Sequence, residues 1–193
     1  MHIGSTLGAP SDFRRETTEA LSEMLSHDRC ALRSLDVSAT EVDGWELVQA
    51  LKGNSSLTAL DVRMVPRMTV LFQTLADALL QRESRCRIQF LRCDAFQLLE
   101  GHTHVSLREK ALDPGAVRLL AGLLRHNRIL TNLDLTATGI TNDGALALAT
   151  ALGENTAMKT LLMKYNPSLD DNAKSSLRAV AKMRAPALSV ELS

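Results

Sequence analysis

The sequence contains few aromatic residues and no excess of charge of either sign. Aromatic residues make up 3% of its 193 residues, which leaves no interleaved stacking platform of the kind that binds single-stranded nucleic acid. Its 22 basic residues balance 22 acidic ones, so no overall field attracts nucleic acid or an anionic membrane. No apolar run reaches the length of a membrane-spanning helix. We therefore predict no nucleic-acid partner and no membrane partner.

Cysteines are also few, and the first residues do not resemble a secretory leader. Cys30, Cys86 and Cys93 are an odd number of thiols scattered along the chain, unlike the framework of a disulfide-rich secreted domain. Residues 1–10 lack a basic stretch followed by a long apolar segment. These features predict reduced thiols in an intracellular, cytoplasmic protein.

Residues suited to catalysis or metal binding do not cluster in the sequence. Cys93, His102 and His104 are close along the chain, but a metal site needs three or four converging ligands, and Cys93 falls at a strand position that we expect to be buried. No set of serine, histidine and carboxylate, no pair of acids and no metal-binding helix stands out. We predict a protein that is not an enzyme and that holds no cofactor and no metal.

One unit, residues 130–154, recurs in weaker form along most of the chain. It begins as an apolar alternation typical of a strand, turns at residues 138–142 and ends in a helical pattern. Its pair of apolar strand residues recurs at steps of 25, 31, 14, 28, 28 and 29 residues. The pairs are Leu35/Val37, Leu60/Val62, Leu91/Cys93, Val105/Leu107, Leu133/Leu135, Leu161/Met163 and Val190/Leu192. A unit of this size cannot bury its own apolar face, so the repeats predict an α/β stack.

Polar residues recur with the units. Asn54, Asn127 and Asn155 each follow a leucine by three residues, between a helix and the next strand. We predict that they satisfy backbone groups in repeated turns and take no part in catalysis. Four carboxylates at helix starts are predicted to cap free N–H groups. They are Asp43, Asp113, Asp143 and Asp171.

The units LRSLDVSATEVDGWELVQALKGN, LTNLDLTATGITNDGALALATALGEN and MKTLLMKYNPSLDDNAKSSLRAVAK resemble leucine-rich repeats of the ribonuclease-inhibitor type. The resemblance covers residues 28–193. It implies an α/β solenoid with a curved parallel sheet on the concave side and helices on the convex side. It further implies a module that binds a protein partner through its concave face, and it leaves the partner unnamed. Because the family includes the Ran GTPase-activating protein, regulation of a GTPase or another enzyme is a further, less favoured implication.

Within one domain over residues 1–193, we predict an extension (1–11), a capping helix (12–27) and the repeats (28–193). The step from Leu91 to Val105 is too short to contain a helix. We therefore predict residues 94–104 as a helix-less loop on the convex side. The resulting hole in the helical layer would be filled by Phe96, Leu98 or Leu99.

Side chains beside the buried strand residues should point into the concavity, because side chains alternate along a strand. Phe90 would lie there among Arg63, Arg92 and Arg108, which is the composition of an interface hot spot. Alternatively, Phe90 turns into the gap left by the missing helix. The predicted partner-binding residues are Arg63, Phe90, Arg92, Arg108, Asp134, Leu162 and Lys164.

The last strand is predicted to leave a parallel edge open, at Leu188, Val190 and Leu192. A second copy, a partner subunit or further chain would cover it. This edge supports the alternative function, a scaffold subunit of a large assembly that is held by its termini.

Two helical features have ordinary explanations. Lys174, Arg178 and Lys182 form a basic ridge on the last helix, for which a solvated outer face is favoured over an acidic partner site. Trp45 is the single tryptophan. We predict that it belongs to the core and is not an interface anchor.

Overall fold

The structure is a computed structural model that describes residues 1–2, 11–81, 84–184 and 187–192, with the backbone alone for residues 11–14. The described residues form six α-helices and eight strands, and a short 3-10 helix, Met68–Leu71, precedes α3. Residues 3–10 of the predicted extension lie outside the described part. In chain order the elements are α1 (Ser11–Ser26), β1 (Ser34–Asp36), α2 (Gly44–Gly53), β2 (Ala59–Asp61), α3 (Phe72–Leu80), β3 (Phe90–Arg92), β4 (Gln97–Leu98), β5 (His104–Ser106), α4 (Pro114–His126), β6 (Asn132–Asp134), α5 (Asn142–Glu154), β7 (Thr160–Leu162), α6 (Asp171–Met183) and β8 (Ser189–Glu191).

The strands form two sheets of four. The first has the order β1-β2-β3-β4 and the second the order β5-β6-β7-β8. Strands β1 to β3 run parallel, and so do β5 to β8. In the first sheet this register places Leu35, Leu60 and Leu91 side by side, and all three are buried. The predicted α/β class with parallel strands is confirmed.

The helices form one continuous layer, with each helix packed on the next. Helices α3 and α4 approach closely, since a Cβ atom added to Gly122 would lie 2.7 Å from the Cβ of Leu79. Only glycine permits this separation, because any side chain at residue 122 would overlap Leu79. The predicted hole in the helical layer is therefore wrong, since α3 packs directly against α4.

The interruption lies in the sheet instead, at residues 94–104. Strand β4 pairs antiparallel with β3, with Leu98 opposite Leu91. The N–H of Cys93 donates to the carbonyl of Phe96 at 3.0 Å and closes the turn of the hairpin. The predicted bare loop on the convex side is thus corrected: this segment ends the first sheet. Phe96 and Leu98 are buried as predicted, but they lie at the end of the first sheet and do not fill a hole in the helical layer.

The turn after a parallel strand has a repeated conformation. Its second residue has a left-handed φ of 53–60° after each of the five strands that lead into a helix. These residues are Ala39, Met64, Glu109, Ala137 and Tyr165. Left-handed backbone is costly for residues other than glycine. The shared turn therefore indicates that one geometry directs the chain from strand to helix in every unit.

Helix capping follows the prediction at two of four helices. The carboxylates of Asp43 and Asp113 accept from N–H groups of the first turns of α2 and α4. The other two predicted caps are wrong, because Thr141 caps α5 and Asp170 caps α6. Asp143 and Asp171 lie one or two positions inside those helices, where a carboxylate still interacts favourably with the helix dipole.

Trp45 does not belong to the core. Its exposed fraction is 55%, because α2 begins at Gly44 and buries that residue, which turns Trp45 outward. The sequence pattern fits a helix start here but does not fix which of two neighbouring residues faces the core.

Candidate protein-binding surface

The first sheet presents a polar face on the side away from the helices. Its strand leucines point into the core, so their neighbours point outward. We call this surface the first-sheet face and define it as Ser34, Asp36, Ala59, Asp61, Phe90 and Arg92.

A buried carboxylate, Asp61, organises the centre of this face. Arg63 approaches it with two atoms, Nε at 3.0 Å from Oδ1 and Nη2 at 2.7 Å from Oδ2. The hydrogen bond and the charge of Asp61 raise the pKa of Arg63. Arg92 reaches the same carboxylate less closely, with Nη1 at 3.7 Å from Oδ2. The structure therefore brings Arg63 and Arg92 together on one acid.

The two arginines differ in how many of their N–H donors remain available to a ligand. The guanidinium of Arg63 uses two of its nitrogens on Asp61. The side chain of Arg92 is 46% exposed and approaches Asp61 at 3.7 Å, beyond hydrogen-bond distance. A guanidinium has five N–H donors in a planar fork, so Arg92 retains donors for a ligand.

Phe90 lies beside this cluster but does not project from it. Its exposed fraction is 7%, and it lines a cavity of about 250 Å³ together with Leu98, Leu99 and Glu100. The cavity is smaller than the 300–1,000 Å³ that small-molecule sites occupy. It is of a size to admit one side chain from a protein.

Asp36 borders the same cavity. Its carboxylate accepts from the N–H and the hydroxyl of Ser38 at 2.9 and 2.6 Å and lies 3.0 Å from Nδ1 of His2. Burial alone would raise the pKa of Asp36, but these hydrogen bonds outweigh it and lower that pKa.

Leu99 and Glu100 are lining residues that sequence reasoning missed. They belong to the hairpin, which the sequence predicts as a loop on the opposite side of the molecule. The step of 14 residues signals an irregular unit, but nothing in it indicates an antiparallel strand.

The other predicted residues lie on the second sheet. Arg108 follows β5 and pairs with Glu109 at 3.1 Å, so it is not part of the Asp61 cluster. Lys164 pairs with Glu191 at 2.8 Å. Asp134 and Leu162 line a separate cavity of about 240 Å³. The predicted set therefore divides into two surfaces.

The last strand, β8, pairs with β7. Leu188 is buried, and Val190 and Leu192 are half-buried against the core. Arg184 supports this end of the sheet from behind, with its guanidinium donating to the carbonyls of Leu152 and Met158, both at 3.1 Å.

Metal-ligating side chains do not converge in the described part of the chain. There, no group of three or more histidine, cysteine, aspartate or glutamate side chains is placed to hold a metal ion. Cys93 is buried and has its Sγ 3.4 Å from the carbonyl of Phe96. Burial raises the pKa of the Cys93 thiol, which disfavours the thiolate that a metal would require.

Comparisons with known proteins add little. No protein-family model matches the chain, and no curated protein sequence matches it. Among solved structures, it is similar to a tropomodulin C-terminal domain from Caenorhabditis elegans, with 12% sequence identity and a TM-score of 0.44 over 86% of this chain and 92% of that one. This similarity is too distant to indicate a function. No helix in the described ranges is long and apolar enough to cross a membrane.

Proposed function

We propose that this protein is a leucine-rich repeat solenoid of the ribonuclease-inhibitor-like type that binds a protein partner, without catalysis, through the first-sheet face. The observation that carries the proposal is the Asp61 cluster beside the cavity at Phe90. We assign the protein to the cell interior and expect neither cofactor nor metal.

The repeated geometry supports the solenoid. Parallel strands stack about 4.8 Å apart, whereas packed helices need about 10 Å each. A continuous helical layer over shorter strand spacings makes the sheets curve, with the first-sheet face on the concave side. Such a surface can surround part of a partner protein.

Arg92 is the residue we assign to direct contact. Arginine is enriched in interface cores and hot spots, where its planar fork binds carboxylates or carbonyls. Asp61 holds Arg92 near the cavity without satisfying it. Arg63 has a positioning role, because its two hydrogen bonds hold the Asp61 carboxylate in place and balance its negative charge. Phe90 supplies the apolar floor on which a partner side chain would rest.

The second sheet supplies a further contact area in this proposal. Its contributors are Arg108, Asp134, Leu162 and Lys164. Two of them already have ionic partners, Glu109 and Glu191, so we expect each to contribute less than Arg92.

The proposal is tested by partner capture from a cell extract with immobilised wild-type protein and the variant Arg92→Glu. We expect recovery of the wild-type partner to fall by about tenfold or more, as for loss of a hot-spot arginine. A matched charge reversal, Lys159→Glu, changes an exposed residue outside this cluster and should leave recovery unchanged.

Folding must be checked, since Arg92→Glu places a carboxylate near Asp61. A second variant, Arg92→Ala, removes the donors without adding charge, and circular dichroism verifies both. If well-folded Arg92→Ala and Arg92→Glu recover the same partner with wild-type yield, the first-sheet face is not the binding site.

A second candidate function is that of a structural subunit in a large assembly, for which the observation is the half-buried pair Val190 and Leu192 at the edge strand β8. Partner binding would then add a strand there. The double variant Val190→Lys/Leu192→Lys separates the two candidates: loss of the partner with this variant, but not with Arg92→Ala, would favour the subunit.

A further inference from the structure

The side on which each helix meets the next one can be read from α4. A Cβ atom added to Gly144 of α5 would lie 2.7 Å from Cγ1 of Val117. Arg125 pairs with Glu154 of α5 at 2.8 Å. Val117 and Arg125 stand four and twelve residues after the N-cap Asp113. These positions therefore mark the face that receives the following helix.

In α6 the same positions carry cations. Counted from its N-cap, Asp170, they are Lys174 and Lys182, and Arg178 lies between them. We call these three residues the basic ridge. Arg178 and Lys182 are exposed, and within the described ranges no carboxylate forms an ion pair with any of the three.

Two cations of the inner helix α4, by contrast, have acidic partners on neighbouring helices. Arg118 of α4 pairs with Asp77 of α3 at 2.8 Å, and Arg125 pairs with Glu154 of α5. Ion pairs between consecutive helices are thus a feature of this layer. The basic ridge includes the position on α6 that Arg125 has on α4, but no described carboxylate pairs with it.

The opposite face of a helix, which meets the preceding one, is marked in α4 by Gly115 and Gly122. A Cβ atom at these residues would lie 3.4 Å from Phe72 and 2.7 Å from Leu79 of α3. The alignment with α1 follows from a shared hydrogen bond. The carbonyl of Leu124 accepts from the side chain of Asn155, and the carbonyl of Leu25 accepts from that of Asn54.

With Leu25 aligned to Leu124, Glu16 and Glu23 of α1 take the places of Gly115 and Gly122. Both glutamates are exposed, and neither forms an ion pair with a described residue. Glu23 borders two shallow grooves of about 410 Å³ each, and the second is shared with Trp45 and Glu46 of α2. The first groove is lined by Ala20, Glu23, Met24, His27, Arg29 and Cys30. We call Glu16, Ala20, Glu23 and Met24 the acidic flank.

We propose that this protein associates head to tail, with α1 of one copy packed beside α6 of a second copy. The acidic flank would then lie against the basic ridge, with α6 using the face that α4 turns toward α5 and α1 using the face that α4 turns toward α3. Three cations face two carboxylates, and Ala20 and Met24 supply apolar contact. His27 and Arg29 border the acidic flank, while Asp171 borders the basic ridge, so the complementarity is partial.

Helices rather than strands carry this contact. The outer edge of β1 is already occupied, because the N–H of Asp36 donates to the carbonyl of Met1 at 2.8 Å and the amino group of Met1 donates to the carbonyl of Ser34 at 2.9 Å. A strand of another copy would have to displace these bonds. An interface between two different faces leaves one of each free, so further copies can add, forming a ring if the rotation closes and an open chain if it does not.

Light scattering over a concentration series measures this association. Exposed charges attract over about 30 Å at about 0.01 M salt but only about 3 Å at about 1 M. We expect the mean mass to rise above the 21.1 kDa monomer with concentration at low salt, and to return to the monomer value at high salt. A monomer at every concentration in low salt overturns the proposal.

Charge reversal then locates the interface. The ridge variant Arg178→Glu/Lys182→Glu and the flank variant Glu16→Arg/Glu23→Arg should each remain monomeric, because each places like charges on both faces. An equimolar mixture of the two variants should associate again, since every contact then joins opposite charges. The control Lys110→Glu/Lys159→Glu alters two exposed residues outside both helices and should associate as the wild type does.

Circular dichroism melting verifies that the variants fold, which is expected because all four positions are exposed. Association that persists in either reversed variant, or a mixture that stays monomeric, contradicts the pairing of α1 with α6. Neither outcome bears on Arg92 and the first-sheet face, which this contact leaves uncovered.

Discussion

Asn127 shows at the scale of one residue how the repeats are joined. It is fully buried, and its Oδ1 accepts from the N–H groups of Ile129 and Leu130 at 2.9 and 2.7 Å. Its Nδ2 donates to the carbonyl of Gln89 in the preceding unit at 3.2 Å. Asn54 and Asn155 make the same kinds of bond. The amide thus satisfies a turn and connects two units.

Substitution Asn127→Ala should lower the free energy of unfolding by about 2–4 kcal/mol, because it leaves buried N–H and C=O groups without partners. The denaturant midpoint measures this loss. Asn172→Ala is the control, since Asn172 is exposed on α6. If both variants unfold at nearly the same midpoint, the amide does not have the structural role assigned to it.

The three thiols should differ in reactivity. Burial raises the pKa of Cys86 to about 11. At Cys30, burial acts in the same direction, but hydrogen bonds involving Leu32, Ser56 and Asn54 outweigh it and lower the pKa. Only the thiolate reacts. With a pKa of about 11, roughly one Cys86 in a thousand is ionised at about pH 8.

Alkylation by iodoacetamide at about pH 8, followed by peptide mass spectrometry, should therefore modify Cys30 at least about a hundredfold faster than Cys86. Urea-unfolded protein is the control, in which both thiols should react alike. Equal rates in the folded protein would show that Cys86 is not buried as described.

At the scale of elements, the contact between α3 and α4 holds the two sheets together, because these helices cross the point where the strands are interrupted. Gly122→Ala should destabilise the protein by about 1–3 kcal/mol, since the added Cβ would lie 2.7 Å from that of Leu79 and the helices must separate. Thermal unfolding measures the effect.

The matched control is Gly153→Ala in the last turn of α5, where an added Cβ meets nothing within 4 Å. Alanine is the better helix former by about 0.8–1.0 kcal/mol, so this variant should be neutral or stabilised. Shifts of the same sign in both variants would mean that helix propensity, and not the spacing of α3 and α4, decides the outcome.

The elements that repeat could be predicted from sequence, whereas the one that does not repeat could not. Apolar pairs at nearly constant steps identify β1 and β2 and their following helices, because each pair must be buried in the same way. Residues 94–104 contain no such pair at the expected step. Their path depends on β3 offering an unpaired edge, and that edge exists only after the fold has formed.

The same distinction applies to the candidate site. Alternation along the strands predicts that Arg63 and Arg92 share a face, which the structure agrees with. It cannot predict that Asp61 engages both arginines, because that depends on how each side chain bends. The strand pattern also groups Arg108 with these two arginines. The break between β4 and β5 instead places Arg108 on the second sheet.

The whole molecule is a neutral chain whose charges are unevenly placed. A compensated cluster lies on the first-sheet face, exposed carboxylates lie on α1, and exposed cations lie on α6. We propose that the first surface recognises a protein partner and that the other two make contacts between copies of this chain. These three surfaces lie on different elements of the fold.

Amide hydrogen exchange of the wild-type protein, alone and with the partner recovered by capture, tests partner binding through the first-sheet face most directly. Bound partner should slow exchange in residues 90–92 and 98–100, which line the cavity and include Arg92 of the Asp61 cluster. Residues 171–183 and 189–191 should exchange as before. Slowed exchange confined to β8 or to the helices, with no change at residues 90–100, would contradict binding at this face.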